Sequence, residues 1–137
     1  LMGKDGGFTK GRDRTFHFGT KDKNIIGMIS HLAAMLPVAV GYGLSYKLNN
    51  QKNIALAFVG DGATSEGDFH EALNWASRTK APVIFHIENN GYAISVPIED
   101  QTSGGSVYKI SAGYENLDRI QVDGTDYFES LLAFNHQ

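Results

Sequence analysis

The chain has 137 residues, 42% of them hydrophobic and 20% charged, which suits one domain around one core. Its net charge of −3 gives no global attraction to nucleic acid or to an anionic membrane surface. It has no cysteine, which excludes a disulfide scaffold, a thiolate nucleophile and a zinc–thiolate site.

The opening stretch, residues 1–24, is rich in Gly, Lys, Arg and Asp and reads as loop, with residues 25–137 as an α/β core. Six basic residues crowd the first 23 positions: Lys4, Lys10, Arg12, Arg14, Lys21 and Lys23. They form either a solvated terminus or a loop near bound phosphate. No apolar run approaches the ~20 residues of a membrane helix. The first residues include no signal-peptide hydrophobic stretch. The chain starts without Met and stops inside a helical pattern, Leu131 to Gln137, so both ends read as cut.

Residues 36–48 read as a buried helix, with Pro37 in its first turn. Ala39, Gly41 and Gly43 would let another backbone approach, and Asn49-Asn50 stops the helix. Ile54 to Val59 is an uninterrupted apolar run, as in a strand buried on both faces. Gly60-Asp61-Gly62 breaks it. A helix follows, opened by Ser65 and Asp68 at capping-box spacing and striped by Phe69, Ala72, Leu73 and Ala76. Pro82 ends it. Val83 to Ile87 reads as a second buried strand, closed by Glu88-Asn89-Asn90-Gly91.

Strand, helix and strand within about 35 residues make a βαβ unit with a parallel pair. Residues 97–117 read as loop, residues 119–122 as a short third strand, and residues 126–135 as a last helix. The fold class is α/β, with an open, mostly parallel sheet and flanking helices.

In such sheets, ligands bind beyond the carboxyl ends of the strands. Two strand ends carry chemistry here, Gly60-Asp61-Gly62 and Asn89-Asn90-Gly91-Tyr92. Glycines allow close backbone approach, and a following helix start favours phosphate. Asp61 stands in that phosphate position. A carboxylate ~4 Å from a phosphate charge is repelled by about 4 kcal/mol at intermediate dielectric. A divalent cation between them reverses the sign, and Mg²⁺ takes carboxylate, amide, carbonyl and phosphate oxygens. Asn90 offers an amide oxygen, and the Gly91-Tyr92 turn a carbonyl. The competing reading is plain: Gly-Asp-Gly and Asn-Asn-Gly are both common tight turns.

Other patterns are weaker. Gly60 to Ser65 resembles a dinucleotide fingerprint with Ser65 in place of the third glycine, and Glu88 could serve as the ribose-binding acid. A nicotinamide dinucleotide domain of an oxidoreductase is therefore the alternative. His70-Glu71 begins like a zinc-protease helix, but Asn74 stands where the second His is needed. His86 reads as a packed core histidine and Trp75 as packing. His17, in the basic loop, is either an anion contact or exposed.

The longer motif is more specific. Gly60-Asp61-Gly62, 26 residues, then Asn89-Asn90 resembles the thiamine diphosphate motif. Residues 63–76 and the run Glu88-Asn89-Asn90-Gly91-Tyr92-Ala93-Ile94-Ser95 resemble the alpha subunit, or alpha half, of 2-oxo acid dehydrogenase E1 components. The likeness extends upstream through Gly11-Arg12, His17-Phe18-Gly19 and Ser30-His31-Leu32-Ala33, and downstream to Val122-Asp123-Gly124. It implies a partial diphosphate-binding domain over residues 1–137. Ser65-Glu66-Gly67-Asp68 and Gly91 to Ser95 look most like branched-chain members, with pyruvate or acetoin types as the other possibility.

By that resemblance Asp61 and Asn90 are Mg²⁺ ligands through side chains, and Tyr92 through its carbonyl. Gly60, Gly62 and Ala63 line the diphosphate of thiamine diphosphate. Ser30 and Leu32 lie against its aminopyrimidine side. Glu66 matches a family position to which no role is assigned. The implied activity is oxidative decarboxylation of a branched-chain 2-oxo acid and acyl transfer to the lipoyl domain of E2. Implied partners are an E1 beta subunit or half, in a heterotetramer within a multienzyme complex. The catalytic glutamate is expected from the partner domain, so the fragment alone is expected to be inactive. The implied compartment is the cytosol in a bacterium and the mitochondrial matrix in a eukaryote. Two positions depart from the pattern: His31 stands where branched-chain members often have Pro, and Glu88 where some carry a diphosphate-binding Arg.

Overall fold

In the computed structural model, residues 2–7, 9–12 and 16–135 are described. Arg14 and Gln137, which figure in the reading above, lie outside them. The described residues of the opening stretch form turns, a 3₁₀ turn at Lys21–Lys23 and one isolated bridge between Thr20 and Ile25. Lys4, Lys10, Arg12, Lys21 and Lys23 are all exposed.

The first helix, α1, spans Met35–Leu48, with Pro37 in its first turn as expected. Leu36, Ala39, Val40 and Gly43 are its buried residues. A Cβ on Gly43 would come 2.9 Å from the Pro82 carbonyl oxygen, so a side chain there would force two elements apart. Gly41 has open space instead. The chain leaves the helix through Asn49 and Asn50, the latter in the left-handed region at φ 54°.

Strand β1 covers Ala55–Gly60 and strand β2 Val83–Glu88. They pair in parallel, Gly60 opposite Glu88. Between them runs α2, Gly67–Thr79. Its four expected stripe residues are all in the core: Phe69, Ala72, Leu73 and Ala76. Lys80, at φ 50°, closes the helix and donates its N–H to the Ala76 carbonyl. Lys47 of α1 donates to the Thr79 carbonyl at 2.6 Å, pinning the end of α2 to the end of α1.

After β2 the chain makes a two-stranded antiparallel hairpin, β3 (Tyr92–Ala93) and β4 (Val96–Pro97). Two one-turn helices follow, α3 at Ile98–Gln101 and α4 at Val107–Ile110. The last helix, α5, is Tyr127–Asn135. Asp126 caps it, its Oδ1 accepting from the N–H groups of Phe128 and Glu129 at 2.8 and 3.0 Å.

Four expectations are corrected. The capping box does not form, because a 3₁₀ turn at Asp61–Ser65 intervenes and Glu66 takes the N-cap position before Gly67, with no side-chain cap bond. Strand β1 is not buried on both faces. Ala57 points into the core, whereas Leu56 and Phe58 on the other face are 46% and 62% exposed. Helices α1 and α2 cover one face, while on the other the described contact is Phe134 of α5 stacked on His86. Residues 119–122 are not a strand; an apolar alternation needs a neighbouring ladder, and among the described residues none pairs with it. Finally, residues 97–117 are not a plain loop, since α3, α4 and two 3₁₀ turns organise them around buried Ile98 and Val107. The observed fold is thus a small α/β domain with a short parallel sheet, a separate hairpin and flanking helices. No helix among the described residues is long and apolar enough to cross a membrane.

Candidate cofactor and metal site

The parallel register sets the site. Gly60 and Glu88 are opposed at the carboxyl ends of β1 and β2, so Asp61 and Asn90 leave the sheet side by side. The Asn90 N–H points at Asp61 Oδ1, 3.4 Å away. Asp61 is 1% exposed, yet its second oxygen, Oδ2, is buried with no hydrogen-bond partner. A buried carboxylate oxygen without a donor is costly, and a cation is the usual remedy.

Asn90 sits in a run of two Asx turns. Asn89 Oδ1 accepts from the Gly91 N–H at 3.1 Å, and Asn90 Oδ1 accepts from the Tyr92 N–H at 2.9 Å. That leaves Asn90 Oδ1 a second lone pair. Gly91 is at φ 81°, where glycine is favoured, and its carbonyl is taken by the Ile98 N–H at 2.9 Å. The Tyr92 carbonyl differs. Gly91 and Ile98 form a hydrogen-bonded pair, so Tyr92 and Pro97 are the next, non-hydrogen-bonded pair and the Tyr92 carbonyl is directed away from β4. One carboxylate, one amide oxygen and one peptide carbonyl are a hard-cation donor set, and these residues fit a Mg²⁺ that keeps further positions for phosphate and water. Among the described residues no three His, Cys, Asp or Glu gather in one place.

The Asp61 turn is held from two sides. Thr64 donates its hydroxyl to the Asp61 carbonyl at 2.7 Å. Gln101 Nε2 reaches the same carbonyl at 2.9 Å and the Gly62 carbonyl at 3.2 Å. Gly62 is a glycine for a reason the sequence does not disclose: a Cβ there would sit 2.8 Å from the Ala93 Cβ of the hairpin. Gly60 has an ordinary extended backbone at φ −80°, and a Cβ on it would meet nothing within 4 Å. Asp61 itself opens a 3₁₀ turn, Asp61–Ser65, in which Ala63 is buried.

Ser30 Oγ lies 3.4 Å from His17 Nε2, and Leu32 is 62% exposed. No hydrogen bond joins them to Asp61, Asn90 or Tyr92 among the described residues. His86 is the packed histidine expected, its ring 5.1 Å from Phe58 and 5.6 Å from Phe134. Trp75 is corrected: it is 52% exposed with the Arg78 guanidinium 5.6 Å over its ring, because it lies off the apolar stripe. Glu66 and Glu88 are exposed. Thr64, Ala93 and Gln101 are the site residues that sequence reasoning missed. Only Pro97 after Gly91 hints at the hairpin that brings Ala93 in.

The dehydrogenase E1 component family matches residues 1–135 of this sequence. The chain belongs to that family. Among curated relatives, the mitochondrial 2-oxoisovalerate dehydrogenase subunit alpha of Caenorhabditis elegans is 45% identical over 118 residues, covering 85% of this chain and 27% of that protein. The mouse protein of the same name is 40% identical over 119 residues, covering 87% of this chain and 27% of its own length. An Arabidopsis thaliana 2-oxoisovalerate dehydrogenase subunit alpha 1, also mitochondrial, is 39% identical over 125 residues, 91% of this chain and 26% of its length. The chain thus spans about a quarter of the length of these relatives. The matches support the dehydrogenase reading and set aside the nicotinamide-binding alternative.

Proposed function

We propose that this chain is the diphosphate-anchoring part of a thiamine diphosphate-dependent branched-chain 2-oxo acid dehydrogenase, on the alpha side of its E1 component. The carrying observation is the Asp61 carboxylate, 1% exposed with Oδ2 lacking any donor. Thiamine diphosphate, when bound, supplies the electron sink for decarboxylation of the 2-oxo acid and carries the acyl group toward a lipoyl group.

The chain's own residues do the anchoring. Asp61 and Asn90 would hold Mg²⁺ through side-chain oxygens and Tyr92 through its carbonyl. Asp61 would be repelled by a bare diphosphate, and a Mg²⁺ held by these oxygens would offset that repulsion. Backbone at Gly60, Gly62 and Ala63 would line the diphosphate, and Ser30 and Leu32 the aminopyrimidine side. Fixing the cofactor in this way contributes by positioning. We read the diphosphate-binding fold as completed by the rest of a longer protein. The activating glutamate comes from an E1 beta subunit or half, and the acyl acceptor is the lipoyl domain of E2. The relatives' names carry the word mitochondrial, which supports the mitochondrial matrix in a eukaryotic host. In a bacterial host the same reading gives the cytosol.

The test is calorimetric titration of thiamine diphosphate into the full-length protein with its partner, with and without Mg²⁺, beside Asp61→Ala. Magnesium-dependent binding that the substitution abolishes is the expected result. Binding indifferent to both metal and substitution would overturn the proposal.

A further inference from the structure

We infer that Gln101 is a positioning residue for the metal site: its side-chain amide clamps the two peptide carbonyls at Asp61 and Gly62 and so aims the Asp61 carboxylate. This rests on the metal reading of Asp61 proposed above and adds a residue outside both site motifs.

The geometry is specific. One Gln101 nitrogen faces two successive carbonyls, at 2.9 Å to Asp61 and 3.2 Å to Gly62. Two carbonyl oxygens accept only from an NH₂ group, which fixes the orientation of the amide. The Asp61 carbonyl also takes the Thr64 hydroxyl at 2.7 Å. Gly62 is closed in by Ala93, with no room for a Cβ. The peptide planes on either side of Gly62, the first of which carries the Asp61 carbonyl, are therefore held from α3, from the hairpin and from the turn itself. The Asn90 N–H in turn faces Asp61 Oδ1.

The other end of the same amide supports the inference. Gln101 Oε1 is buried with no hydrogen-bond partner. A buried, unpaired oxygen is unfavourable. An apolar residue would satisfy the surroundings of α3 better, so the value of Gln101 lies in its donor end. The neutral charge also matters. A Lys or Arg reaching these carbonyls would place a positive group beside Asp61 and compete with a cation. An amide holds the turn without doing so.

The experiment uses the full-length protein with its partner subunit or half. Thiamine diphosphate binding is titrated by calorimetry across a range of Mg²⁺ concentrations. In Gln101→Met, which keeps the length and removes the donor, the half-saturating Mg²⁺ concentration is expected to rise at least tenfold. Excess Mg²⁺ is expected to restore most of the binding. Thr64→Val, which removes the other donor to the same carbonyl, is expected to shift the curve in the same direction. Where Gln101→Met fails to fold, Gln101→Asn, which keeps the amide but is one methylene too short to reach both carbonyls, is expected to shift the curve in the same direction. If Asp61→Ala abolishes metal dependence while the Gln101 variants titrate like wild type, the positioning role is refuted and the metal site stands. If Asp61→Ala itself changes nothing, the metal reading falls and this inference with it.

Discussion

Asp61 and Asn90 meet across the ends of neighbouring parallel strands, the Asn90 N–H directed at Asp61 Oδ1 at 3.4 Å while Oδ2 has no donor. The pair is half satisfied. A buried ionised group in that condition destabilises the metal-free protein. Asp61→Asn keeps the shape and removes the charge. It is expected to raise the metal-free melting temperature, by the equivalent of about 1–3 kcal/mol, and to remove Mg²⁺-dependent binding. Scanning calorimetry in a chelator checks the first half. A lowered melting temperature would mean that the protein already stabilises the carboxylate.

The two glycines beside Asp61 should separate stability from binding. Gly62→Ala drives a Cβ to 2.8 Å from Ala93 Cβ and 3.1 Å from its Cα, so the hairpin must shift. A loss of about 1–3 kcal/mol is expected, as for other overpacked positions. Gly60→Ala meets nothing and has an extended backbone any residue adopts. Its stability is expected to stay level or rise by up to about 1 kcal/mol, while diphosphate binding weakens if the backbone there lies against the ligand. Urea unfolding and calorimetric titration of the two variants, side by side, decide the matter. Equal loss of stability in both would contradict the packing difference.

How much of this was legible in the sequence depends on what each pattern reports. The α2 stripe was readable because Phe69, Ala72, Leu73 and Ala76 recur with the helical period and all four are buried. The parallel pair was readable from two apolar runs flanking one helix. The site turns were readable because Gly, Asp and Asn mark strand ends chemically. The hairpin was not. Its strands have two residues each, too few for a period, and its turn puts Ile94 at φ 57°, a conformation β-branched residues rarely take. Residues 119–122 looked like a strand because alternation reports amphipathy, not the presence of a partner. Gln101 was invisible, since it reaches Asp61 from 40 positions away and nothing local marks it.

Asp123 gives a pH signature away from the site. The Thr125 hydroxyl donates to its Oδ1 at 2.7 Å and the Thr125 N–H at 2.9 Å. Those two bonds, the hydroxyl first, hold the Asp123 carboxyl below its ordinary value, against a small opposing effect of burial. A folded-state value that is depressed means the turn's stabilisation is complete above the unfolded value and lost as pH falls through the folded one. The pH dependence therefore lies below about pH 4, and the stabilisation is fully present at neutral pH. Thr125→Val removes the hydroxyl and keeps the N–H, so the Asp123 value should move part of the way up. Carboxyl-carbon NMR titration reads it directly, and an unchanged midpoint would assign the shift to something other than Thr125.

Phe69 and Trp75 lie on the same helix and should respond in opposite ways. Phe69 is 0% exposed, in the buried cluster that also holds Leu36, Leu73, Ile98 and Val107. Removing its ring leaves a cavity that a packed interior fills only partly. Phe69→Ala is expected to cost about 3–5 kcal/mol. Trp75 is 52% exposed, and the Arg78 guanidinium covers part of its ring from 5.6 Å. An exposed cation–aromatic contact contributes about 0.5–1 kcal/mol, so Trp75→Ala should cost no more than that plus a little packing. Equilibrium unfolding of both variants measures the contrast. Comparable losses would mean that Trp75 is covered in the assembled protein, and that the helix face opposite the stripe is an interface rather than a solvated surface.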